Sequence, residues 1–148
     1  MISLVELNRI IVSKIREILK GTPFQEVPLI SSDVSEGFSR PSLKIDFDNV
    51  NLENLNANFL GRSLTVRVYF FASDVKKYKL ENFKMLDLIE CGLIDGMLTE
   101  YGFIDISDIN SNIVDTVLEI SFDINIDALK VNNDQSENME DLQINGGF

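Results

Sequence analysis

Apolar residues at Leu4, Leu7, Ile11, Ile15 and Ile18 recur in steps of three and four, and Ile10 and Leu19 widen the stripe. That period predicts an amphipathic helix over residues 3–20, with Asn8, Arg9, Lys14, Arg16 and Glu17 largely off its buried face. Ser3 is a candidate cap, and Glu6 stands three residues later, the spacing of a capping box. Gly21 and then Pro23 supply the stop. "FQEVPLI" (24–30) predicts a short extended piece that Pro28 confines to an edge or a bend. Pro41 has no N–H to donate and suits the first position of a strand. Over residues 42–48, Leu43, Ile45 and Phe47 then alternate with Lys44, Asp46 and Asp48, the period of a half-buried strand.

A second strand is predicted over Arg62–Ala72. Leu64, Val66, Val68 and Phe70 share one face; Thr65, Arg67, Tyr69 and Phe71 share the other. Both faces carry apolar groups, so this strand is expected to be central, with something packed on each side. The polar stretch between them reads as a long protruding loop, Asn49–Gly61, closing a hairpin. A second helix is predicted from Ser73 or Asp74 to about Cys91, burying Leu80, Phe83, Leu86 or Leu88, and Ile89, and ending or breaking at Gly92. Residues 92–112 are ambiguous: glycines punctuate them, "FIDIS" is strand-like, and "NSN" (110–112) reads as a turn. Residues 113–126 form the clearest strand, with Leu118, Ile120, Phe122, Ile124 and Ile126 opposed to Glu119, Ser121, Asp123 and Asn125. The fold class is therefore α+β: a mainly antiparallel sheet with two principal helices on one face, and no internal repeat.

Length and charge divide this picture in two. The chain of 148 residues suits one domain with a sizeable core, assigned to residues 1–130. All thirteen lysines and arginines fall in that part. Residues 131–148 contain Asp134, Glu137, Glu140 and Asp141 and no basic residue, so they carry −4 of the net charge of −11. They are expected to be a flexible acidic C-terminal extension or a docking arm, in which Met139, Leu142, Ile144 and Phe148 are the side chains a partner can bury. Overall acidity argues against binding nucleic acid through phosphates. No apolar run is long enough to span a membrane. The first residues lack a basic region and a small-residue cleavage site, so no signal peptide is expected and the chain is placed in the cytosol.

Catalytic chemistry is thinly supplied. There is no histidine, which removes the usual general base, the serine triad and the commonest zinc ligand. Cys91, the single cysteine, lies in the apolar "LIECGLI" and is expected to be a buried, inert thiol. The glycines at 92, 96 and 102 fit no nucleotide fingerprint. Asp46 and Asp48 share a strand face but lack the glycine and distal glutamate of a calcium loop, and "DISD" (105–108) is no stronger. No cofactor, metal or catalytic activity is expected.

The order and spacing of these elements carry a resemblance. "EGFSRPSLKIDF" presents Glu36, Gly37 and Phe38 before the strand led by Pro41. "GRSLTVRVYFFAS" ends in Tyr69, Phe70 and Phe71 ahead of a Ser/Asp-capped helix. "NIVDTVLEISFDINI" opens on Asp115, Thr116, Val117 and Leu118. Over roughly residues 3–126 the chain resembles the tail terminators of contractile-tailed phages, defective prophages and phage-tail-like bacteriocins. That resemblance implies a structural protein forming a ring, usually a homohexamer, on the head-proximal end of the tail tube. The ring stops tube polymerisation and contacts the tail sheath and the neck or head-completion proteins. It also implies assembly in the host cytoplasm and residence in the finished particle.

A heterologous ring needs two different patches, each an apolar anchor within a polar rim. Phe38, on its glycine-bearing stretch with Glu36 and Gly37, is a candidate anchor against a neighbouring subunit or the tube; the other reading folds it back onto its own helices. Arg40, Arg62 and Arg67 are candidates for contacts with acidic neighbours, or for ordinary ion pairs. An acidic lumen would pass DNA without holding it, and Glu119 with Asp123, or Asp46 with Asp48, are the candidate walls. Two other readings stand beside this one: a head–tail connector or neck protein, and a non-catalytic small-ligand or regulatory domain with a concave apolar pocket.

Overall fold

The computed structural model describes residues 1–30 and 39–130. Their chain order is α1 (Leu4–Leu19), β1 (Leu29–Ile30), β2 (Ser42–Asn54), β3 (Phe59–Phe71), α2 (Lys79–Leu93), β4 (Met97–Thr99), β5 (Gly102–Ile104), β6 (Ile109–Val114) and β7 (Val117–Leu129). Five strands form one sheet in the order β1-β2-β3-β7-β6, antiparallel throughout except for the short parallel pair β1–β2. β4 and β5 form a separate hairpin. This is the α+β class with two helices on a mainly antiparallel sheet.

The first helix follows its pattern closely. Ser3 Oγ accepts the Glu6 N–H at 3.1 Å, and Leu7, Ile11, Ile15 and Leu19 are buried. The Glu6 side chain pairs with Arg9 one turn on, and this hydrogen bond holds its carboxyl below the ordinary glutamate range. β3 is central, as expected. Its Leu64, Val66, Val68 and Phe70 meet the helices, flanked by Leu43 of β2 and by Leu118, Ile120, Phe122 and Ile124 of β7. Phe24 closes this core edge-on to Phe70, with ring centroids 5.6 Å apart. The second face of β3 departs from expectation. Among the described residues no helix covers Thr65, Arg67, Tyr69 and Phe71; they lie half-buried beside side chains of the adjoining strands.

Four further expectations are corrected. The supposed loop Asn49–Gly61 is mostly sheet: β2 and β3 run on to Asn54 and Phe59 as a ribbon, joined by residues 55–58. A bulge between Asp48 and Asn51, with Asn49 at φ 53°, marks where the ribbon leaves the core and both its faces become wet. Wet faces need no apolar alternation, so the pattern resembled a loop. "NSN" lies inside β6, and the turn falls at Asp115 and Thr116, both with positive φ (51° and 71°), which splits the predicted strand 113–126 into β6 and β7. α2 starts at Lys79, not Ser73 or Asp74, and buries Asn82, Met85, Ile89 and Leu93. Cys91 is exposed rather than buried.

Gly92 does not end α2 but lies within its last turn. A Cβ there would fall 2.5 Å from Ile18 Cγ1, so the glycine lets α1 and α2 approach closely.

Candidate assembly surfaces

The sheet face turned away from the helices collects charge across three strands. Arg67 on β3 donates from Nε to Asp48 Oδ2 on β2 at 3.2 Å and from Nη1 to Glu119 Oε2 on β7 at 2.9 Å. These two hydrogen bonds raise the guanidinium above its ordinary value, so Arg67 stays charged. One register step toward the ribbon, Thr65 Oγ1 donates to Asp123 Oδ1 at 2.7 Å. Lys44 stands 3.4 Å from Asp46 and over the Tyr69 ring. Burial, with help from the Glu119 and Asp46 charges, pushes the Tyr69 phenol above its usual 10.0. By register the ribbon adds Glu53 and Asp127 to this face. The two alternative acidic pairs read from the sequence therefore belong to one surface, acid-rich despite Lys44 and Arg67.

The three candidate arginines are not brought together. Arg40 donates from Nη1 to the Ala72 carbonyl at 2.9 Å and sits over the Phe71 ring, fastening the entry of β2 to the exit of β3. Arg67 is engaged as above. Arg62 lies on the opposite face of β3, in the ribbon, between Leu52 and Ile126 in register. Its Nε is buried and has no hydrogen-bond partner among the described residues. Glu36, Gly37 and Phe38 lie outside the described residues, as do Met139, Leu142, Ile144 and Phe148.

Exposed apolar side chains gather at three places that the sequence did not single out. The ribbon carries Leu52, Leu55, Phe59 and, from β7, Leu129. On the β4–β5 hairpin, Thr99 Oγ1 donates to the Gly102 carbonyl at 2.7 Å and accepts the Tyr101 N–H at 3.0 Å. That tight turn holds Leu98, Tyr101 and Phe103 outward. Gly96 at φ 83° lets the Phe103 ring lie where a Cβ would be.

The third place is the start of α2. Ser73 donates its N–H and its hydroxyl to Glu81 Oε1, at 3.1 and 2.7 Å, and Asp74 Oδ1 accepts the Lys76 N–H at 2.8 Å. These bonds hold residues 73–78 in bends ahead of the helix. Asn82 then fixes its rotation: it is buried and donates from Nδ2 to the Thr116 carbonyl at 3.2 Å. Leu80 and Phe83, predicted to be core, are turned outward and stand 70% and 43% exposed beside Val75. Lys79 lies over the Phe83 ring.

An open groove of about 770 Å³ runs between α1 and the β1–β2 edge, past Val12, Arg16, Leu29, Ile45 and Phe47. Arg16, its cation, already donates to the Val27 carbonyl at 3.2 Å. Among the described residues no group of three His, Cys, Asp or Glu side chains is placed to hold a metal, and no helix is long and apolar enough to cross a membrane.

No curated protein matches the sequence. The family model described as phage tail terminator protein matches residues 7–136, from the first turn of α1 through all seven strands. A match of that extent, on the element order that carried the resemblance, shows that the chain belongs to the phage tail terminator family, a family of structural tail proteins.

Proposed function

We propose that this chain closes into a ring, a homohexamer, on the head-proximal end of a contractile tail tube. The ring stops tube polymerisation and offers its other surface to the last sheath ring and to the neck or head-completion proteins. It assembles in the host cytoplasm and stays in the finished particle. The observation that carries this reading is the presence of separate apolar patches on different elements, the ribbon and the β4–β5 hairpin, in a member of this family. A heterologous ring needs two unlike patches on every copy. Arg62 adds to the argument, because its buried Nε–H has no partner among the described residues and is free to take an acceptor from a neighbouring subunit. The acid-rich sheet face suits a lumen that must let DNA slide. Glu36, Gly37 and Phe38 remain part of the proposed interface, and Phe38→Asp is expected to leave tails uncapped; capped tails of normal length would remove Phe38 from it.

The test is deletion of the gene followed by negative-stain measurement of tail-tube lengths. Long, polydisperse tubes without a head-end cap are expected. Tubes of normal length that fail to join heads would move the protein to the neck. Normal, complete particles would overturn both readings and favour a binding domain.

A further inference from the structure

The start of α2 is an apolar surface with a net positive charge. Lys76, Lys77, Lys79 and Lys84 lie close in sequence to the exposed Val75, Leu80 and Phe83, and Lys79 stands over the Phe83 ring. None of these lysines makes an ion pair among the described residues. The nearest acids in sequence are turned to other groups: Asp74 accepts the Lys76 N–H, and Glu81 accepts both Ser73 donors, and residues 74–84 keep a net charge of +2. In a chain of net charge −11 such a surface is out of character, and it points to an acidic apolar ligand. Residues 131–148 have that composition, with Glu137, Glu140 and Asp141 interleaved with Met139, Leu142 and Ile144.

Reach decides which copy supplies the segment. The hydrogen bond from Asn82 to the Thr116 carbonyl pins the start of α2 to the turn between β6 and β7. The chain leaves β7 at its other end, where the Lys130 N–H donates to the Asn58 carbonyl at 2.8 Å. From Val117 to Leu129 the strand spans about 40 Å at roughly 3.3 Å per residue. Asp141, the last acidic side chain in residues 131–148, lies eleven residues past Lys130 and extends at most about 40 Å. Met139 extends at most about 32 Å. A chain's own acidic stretch meets its own basic surface only when pulled almost straight, which costs it nearly all its backbone freedom. A neighbour's is under no such limit.

We propose that residues 137–144 of one copy dock on the Val75–Lys84 surface of the next copy, strapping adjacent subunits together. This rests on the ring reading. Tails are purified from a strain whose full-length protein carries p-benzoylphenylalanine in place of Leu142, then irradiated and mapped by mass spectrometry. The expected product is a covalent dimer joined from residue 142 to residues 75–84. In a folded Lys76→Glu, Lys77→Glu variant its yield is expected to fall about tenfold, and Glu140→Lys with Asp141→Lys restores it. A crosslink within one chain, or to any other surface, overturns the proposal. Tails of normal length that carry the protein but give no such dimer overturn it while leaving the ring intact. Tails that reach normal length without the protein overturn the ring reading, and this inference with it.

Discussion

At Gly92 the two helices leave no room for one more atom, because a Cβ would sit 2.5 Å from Ile18 Cγ1 and 2.6 Å from Cδ1. Alanine favours helix over glycine by about 1 kcal/mol. Overpacking costs about 1–3 kcal/mol, and a β-branched neighbour on a helix yields poorly. Gly92→Ala is therefore expected to lose about 1 kcal/mol net, read as a lower urea midpoint. In an Ile18→Ala background the same change should stabilise; a gain in the unmodified protein would contradict the close approach. Tyr69 offers a second residue-scale test. Its phenol is raised above 10.0 by burial first and by acidic neighbours second. The unfolded phenol ionises first, so this contribution is whole below pH 10 and is lost as pH rises from there through the folded value. Phenolate absorbance should show one tyrosine titrating late, and Tyr69→Phe should remove that late step and flatten the alkaline loss of stability.

The turn between β6 and β7 sets a test for elements. Asp115 and Thr116 both have positive φ, the conformation of a two-residue hairpin turn that prefers Asn-Gly. A β-branched residue there is strained. Asp115→Asn with Thr116→Gly is expected to raise stability by about 1 kcal/mol in urea unfolding, since the carbonyl that Asn82 uses is kept. No gain, or a loss, would mean that the turn is not held in this conformation. The same turn explains which elements were legible. α1 could be read to the residue because its cap, period and stop agree. β3 and the core half of β7 alternate around a single buried face. The start of α2 is hidden in the sequence because Ser73 and Asp74, good caps by type, bond to Glu81 and to the Lys76 N–H instead. Its buried face is hidden because Asn82 takes a core position through a carbonyl distant in sequence. Hydrophobicity cannot foresee an asparagine that is buried by a partner 34 residues away. The ribbon reads as a loop for the converse reason, that two solvated faces leave no pattern. Of the candidate site, Arg40 and Arg67 proved to fasten strands within the subunit. The apolar patches were missed because which face of α2 is turned out, and that β4 and β5 form a hairpin, depend on tertiary contacts.

For the whole molecule, a closed ring makes a demand that a symmetric dimer does not: each copy must offer two unlike surfaces, each used once. Take Leu98→Asp with Phe103→Asp on the β4–β5 hairpin, and Leu55→Asp with Phe59→Asp on one face of the ribbon. All four side chains are exposed, so each variant should unfold within about 0.5 kcal/mol of the parent. A carboxylate in a desolvated contact is costly, so neither variant alone should cap tails in a deletion strain. Co-expression discriminates further. If the hairpin of one copy meets the ribbon of the next, pairing the intact hairpin of one variant with the intact ribbon of the other makes one good junction, and the next junction is then doubly broken. Assembly should stop at pairs, and tubes should stay long and uncapped. Normal tails from one variant alone would remove that patch from the ring. Normal tails only on co-expression would mean that the two patches do not meet each other, because alternating copies would then satisfy contacts that a head-to-tail junction leaves broken.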